Sequence, residues 1–137
     1  MSESEEASAG ASAIVVVDPD PNSRNNAEDL EDELDRQIIA IDSTDFDIEA
    51  SEEILSAAAF IITWDLGIRS GADLIEELRA HPELGDKPIL IAADAPTKEM
   101  VCWAIAMGAD AVCLRPYEAE EVSSRLALLE EAAGKAA

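Results

Sequence analysis

The chain is short of positive charge: among 137 residues, nine Lys and Arg face 31 Asp and Glu, for a formal net charge of −22. Such a surface repels phosphate backbones instead of releasing their counterions, which argues against direct nucleic-acid binding. Cysteine is scarce as well. Cys102 and Cys113 show no paired metal-ligand spacing, and in a cytosolic chain they read as small buried hydrophobes, not a disulfide or zinc site. Histidine occurs once, as His81 before Pro82, so no Ser-His-Asp or Cys-His set can be assembled and His81 reads as a surface residue. Long apolar runs are missing: neither Ala57 to Trp64, with Thr63 inside it, nor any other stretch approaches the roughly 20 residues of a spanning helix. The opening MSESEEASAGASA has acids and no Lys or Arg, unlike a secretory signal, so neither export nor a membrane span is expected and the cytoplasm is the expected compartment. Nor is there a Gly-rich phosphate loop, which speaks against a flavin- or nucleotide-dependent enzyme.

What is present suffices for one folded domain. Apolar residues make up 48% of the sequence, enough to bury a core, and the length suits a single unit of roughly 100 to 200 residues. The acids are spread along the chain instead of forming one block, so the excess describes the whole surface. A surface of that kind suits multimolar salt; at low ionic strength its charges repel over about 10 Å or more. This points to a halophile's cytosolic protein, in which any single acidic run is first a solvated face. Residues 1–12 and 132–137 carry no periodic apolar pattern and are expected as flexible tails, the first of them acidic, around a domain spanning 13–131.

Inside that domain, short apolar runs alternate with helical patterns. Candidate strands are AIVVV (13–17), QIIAI (37–41), FIITW (60–64), PILIA (88–92) and AVCL (111–114). Between and after them, apolar residues fall at helical spacing: Ala27, Leu30 and Leu34; then Ile48, Ile54, Leu55 and Ala58; then Leu74, Ile75 and Leu78; then Met100, Ala104 and Met107, closed by Gly108; and last Val122, Leu126 and Leu129. Strict βα alternation with nearly continuous apolar strands predicts a five-stranded parallel sheet with helices on both faces, the flavodoxin-like (βα)5 class of α/β fold. Ligands of such sheets bind beyond the carboxyl ends of the strands. Asp18, Asp65, Ala93 and Arg115 stand at those ends.

Three segments, IVVVDPDPNSR (14–24), IITWDLGIRSGADLIEEL (61–78) and GADAVCLRPY (108–117), resemble the receiver domain of two-component response regulators. The resemblance covers about residues 13–131. It implies Asp65 as phosphoacceptor from a histidine kinase or other phosphodonor, and a Mg2+ site of Asp18, Asp65 and the Gly67 backbone carbonyl, with Asp20 as a further candidate. It also implies a downstream protein partner on the face from about Thr97 to Leu129. The protein would be no enzyme in its own right, since the donor carries much of the chemistry.

The sequence departs from the family's pattern at four positions. Pro19 replaces a carboxylate, so Mg2+ should bind weakly or not at all. Ala93 stands where a hydroxyl usually reports the phosphoryl group, and Val112 where an aromatic switch usually sits. Arg115, before Pro116, keeps the charge of the usual Lys but not its compact ammonium. A simpler reading stands beside each candidate. Asp65 could be a structural acid paired with Arg115, Asp18 and Asp20 could cap the first helix, and Trp64 and Trp103 could be core or rim packing. Two functions therefore remain open: a single-domain receiver acting by phosphorylation, or a phosphorylation-independent pseudo-receiver acting as an interaction module.

Overall fold

In the computed structural model, residues 13–43, 46, 52–66 and 70–136 are described. Each apolar run forms a strand: β1 (Ile14–Val17), β2 (Ile38–Ile41), β3 (Ala59–Thr63), β4 (Ile89–Ala93) and β5 (Ala111–Leu114). The strands lie in the order β2-β1-β3-β4-β5, and every pairing is parallel. The helices are α1 (Pro21–Leu34), α2 (Glu52–Leu55), α3 (Gly71–Ala80), α4 (Lys98–Met107) and α5 (Ala119–Ala136). This is the flavodoxin-like α/β architecture that the alternation predicts.

Successive strand residues point to opposite faces, and both faces are covered. Val15, Val17, Phe60, Ile62 and Ile91 pack with Ile54, Leu74, Ile75, Leu78 and Ala104 of α2, α3 and α4. Ile14, Val16, Ile61, Leu90 and Cys113 pack with Ala27, Leu30, Val122 and Leu126 of α1 and α5. Burial on two sides is why these strands read as apolar runs and not as alternating patterns. Truncating the fully buried Phe60 to Ala should cost about 3–5 kcal/mol.

The helix ends follow their local chemistry. Asp20 caps α1, its carboxylate accepting from the Asn22 N–H, with Pro21 at the first position, where a missing N–H costs nothing. Ser70 and Thr97 cap α3 and α4 in the same way. Gly108 closes α4 at φ 122°, a conformation other residues avoid. Two helices differ from expectation. The second is a single turn, with Ala58 already leading into β3 and Ile48 outside the described residues. The last helix continues to Ala136, through residues expected as a tail: the Ala-rich stretch needs no apolar stripe to stay helical. The N-terminal acidic tail lies outside the described residues. Among the described residues, no helix is long and apolar enough to cross a membrane.

Candidate functional site

Parallel strands bring the residues that follow them to one end of the sheet. Asp18 follows β1 directly, and the register that sets Val17 opposite Ile62 places it beside the end of β3. Its side chain is fully buried. A buried carboxylate is costly unless donors replace its water, and here four hydrogen bonds do so. Arg115 Nη1 donates to Oδ1 at 2.8 Å and to Oδ2 at 3.0 Å, the Tyr117 hydroxyl donates to Oδ2 at 2.9 Å, and the Asp20 N–H donates to Oδ1 at 2.9 Å. The backbone of Asp18 is held too: its N–H donates to the Ile41 carbonyl, and its own carbonyl accepts from Arg24 Nη1.

Arg115 is held at both ends. Its N–H donates to the Ala93 carbonyl, tying the start of the loop after β5 to the end of β4, and the Arg115–Pro116 peptide is cis. At the other end of the side chain the guanidinium bridges two acids: beside its contacts to Asp18, Nε donates to Asp94 Oδ1 at 2.8 Å and Nη2 to Oδ2 at 3.4 Å. Burial lowers the pKa of the guanidinium, but its hydrogen bonds to Asp94 and Asp18 and the charges of both raise it further, so the net shift is upward. Tyr117 is fixed through its backbone by Asn26, whose amide both accepts from the Tyr117 N–H and donates to its carbonyl. Burial first, then the neighbouring charge of Asp18, pushes the Tyr117 phenol above its ordinary pKa.

Asp65 is the opposite case. It lies two residues past the end of β3, is exposed, and forms an isolated bridge with Ser70. The loop it sits in is pinned at Gly71, whose N–H donates to the Trp64 carbonyl at 2.7 Å and where a Cβ would meet the Thr63 carbonyl oxygen at 2.7 Å. Only Gly allows α3 to start so close to β3.

The other sequence candidates fall as follows. Ala93 is half-buried at the end of β4, and Val112 is half-buried within β5. Gly67 lies outside the described residues. The Asp20 carboxylate accepts from the Asn22 N–H and from the Ser23 hydroxyl, the capping role. Of the two acids that Arg115 could pair with, Asp18 and Asp65, the guanidinium engages Asp18, and it reaches Asp94 as well. Trp64 and Trp103 meet edge to face at 5.9 Å, with Trp103 mostly exposed, a rim contact. Of the cysteines, Cys113 is buried as expected and its thiol pKa is pushed up to about 12, mainly by that burial. Cys102 corrects the expectation, since it points outward from α4.

Mg2+ requires near-octahedral oxygen coordination at short range. The oxygens of Asp18 are already engaged by four hydrogen bonds, Pro19 supplies no carboxylate, and that of Asp20 caps α1. Among the described residues, no three His, Cys, Asp or Glu side chains converge on a metal position. Among the described residues, the donors around Asp18 fit a guanidinium and do not fit Mg2+.

Sequence reasoning missed Tyr117, Asp94 and Asn26. Tyr117 carried a weak signal: a buried phenol needs a polar partner, and it follows Arg115 by two residues. Nothing in the pattern marks Asp94 or Asn26.

The same fold is found in solved receiver domains. A response regulator receiver domain protein from Clostridium thermocellum superposes with a TM-score of 0.72 at 16% identity, covering 92% of this chain and 99% of that one. The signal receiver domain of a DNA-binding response regulator from Colwellia psychrerythraea gives 0.73 at 15% identity, over 88% and 98%. The Vibrio cholerae chemotaxis protein CheY4 gives 0.71 at 14% identity, over 86% and 98%. No protein-family model matches the sequence, and no curated protein does.

Proposed function

We propose that the protein is a receiver-type signalling module of a two-component or phosphorelay pathway, with Asp65 as its phosphoacceptor. The observation that carries this reading is the exposed carboxylate of Asp65, just past the central strand of a receiver fold and on the sheet end where such folds bind ligands. In the reaction, an Asp65 oxygen attacks the phosphorus of a phosphohistidine or phosphoramidate. The O–P bond forms as the P–N bond breaks, and the leaving nitrogen takes a proton from water. The donor supplies the high-energy bond, so the module itself is not an enzyme. Its output is binding, through the face from about Thr97 to Leu129, to a protein partner in a cytoplasm of high salt.

One observation favours a second reading, a phosphorylation-independent interaction module. The Asp18–Arg115–Asp94 bridge already satisfies the buried acid, while Ala93 and Val112 lack the hydroxyl and aromatic ring of the usual relay. Intact-protein mass after incubation with a small phosphoramidate donor in multimolar KCl separates the two. A base-labile phosphoryl adduct in wild type that is absent from Asp65→Asn is the expected result. No adduct in a folded wild-type protein leaves the second reading in force.

A further inference from the structure

We infer that Arg115 is the resident cation of this site: its guanidinium occupies the side of Asp18 that a divalent ion would need, so the pocket is neutralised by the chain itself and accepts such an ion only when the guanidinium is removed. The inference deepens the receiver reading, on which it rests for the identity of the pocket.

Three features of the geometry support it. Arg115 Nη1 touches both oxygens of Asp18, at 2.8 and 3.0 Å, so a metal approaching either oxygen must first displace it. The opposite edge of the same guanidinium is bound to Asp94, which fixes the plane of the group. A forked, permanently charged group can join two carboxylates in this way, and an ammonium has no such planar fork. Finally, the remaining donors to Asp18, the Tyr117 hydroxyl and the Asp20 N–H, lie on either oxygen and would have to be surrendered to complete a metal shell. Mg2+ sheds its water reluctantly, and the engaged oxygens of Asp18 are poorly placed to replace that water. Because Asp18 is fully buried, its contact with Arg115 is also screened little by salt, unlike pairs on the acidic surface.

Mn2+ provides the test, titrated in multimolar KCl while the free-ion electron paramagnetic resonance signal is followed; the salt suppresses diffuse binding by surface acids. Wild type and Asp18→Asn should give superimposable curves. Arg115→Met should gain one Mn2+ site, at least about tenfold tighter than any wild-type binding, and Asp18→Asn should abolish it in that background. A one-to-one site in wild type that Asp18→Asn removes would overturn the inference, and this arm needs no Arg115 variant to fold. A folded Arg115→Met that binds no better than wild type would overturn it too, since Pro19 alone would then explain the exclusion. Arg115→Gln carries the same arms if the Met variant does not fold. Failure here is distinct from failure of the receiver reading: Mn2+ on wild-type Asp18 removes the resident cation and leaves Asp65 chemistry standing, whereas a missing phosphoryl adduct does the reverse.

Discussion

Asp18 and Asp65 follow adjacent parallel strands and face the same end of the sheet, yet one is sealed and the other open. Asp18 is covered by Arg115 and Tyr117, which follow β5 nearly a hundred positions later, and together with the Asp20 N–H they replace its water. Asp65 is exposed to solvent. Two carboxylates at the mouth of one sheet thus differ in burial, and the buried one needs fixed donors in place of water.

The sharpest way to break this contrast is to remove the cation. Arg115→Met should cost about 3–5 kcal/mol in denaturant unfolding at fixed salt, because it strands a buried charge. Asp65→Asn should stay within about 0.5 kcal/mol of wild type, as exposed substitutions do. Equal effects would show that the two acids do not differ as described. Tyr117→Phe should cost about 1.5–3 kcal/mol, the worth of a hydrogen bond to a charged group. Asp94→Ala should cost about 1 kcal/mol or less, since Asp94 is largely exposed.

Titration sharpens the comparison further. Tyr117 is the only tyrosine, so phenolate absorbance reports it alone. Its pKa lies above the ordinary value in the folded protein, and Asp18→Asn should bring it down. For both Tyr117 and Cys113 the folded pKa is raised, so the unfolded chain releases these protons first. Their contribution to stability is complete below about pH 8.5, the ordinary thiol value, and is lost as pH rises, the Cys113 part by about pH 12. A midpoint that stays flat from pH 8 to 11 would contradict both assignments. The smallest effect concerns reactivity: at pH 8 one thiol, the exposed Cys102, should react quickly with a thiol reagent, and buried Cys113 should not.

The strand runs and helix stripes were legible because burial on both sheet faces imposes them directly on the sequence. Asp18, Asp65 and Arg115 were legible as strand-end residues, and the capping role of Asp20 followed from the Pro21-Asn22-Ser23 turn. What could not be read was which acid Arg115 would choose. That choice depends on the reach of a long side chain across the sheet end and on Tyr117 and Asp94, whose roles no local pattern encodes. Cys102 was misjudged for a related reason, because its neighbours Trp103 and Ile105 are apolar yet exposed on α4, so apolar context there did not mean burial.

The most direct measurement is the intact mass of the protein after incubation with a phosphoramidate donor in multimolar KCl, once with Mg2+ and once with EDTA, for wild type and Asp65→Asn. If Asp65 is the reactive acid and Arg115 the resident cation, wild type gains the same base-labile phosphoryl adduct in both conditions and the variant gains none. An adduct that forms only with Mg2+ would contradict this account, since the divalent ion would then be working in a site that the guanidinium is held to fill.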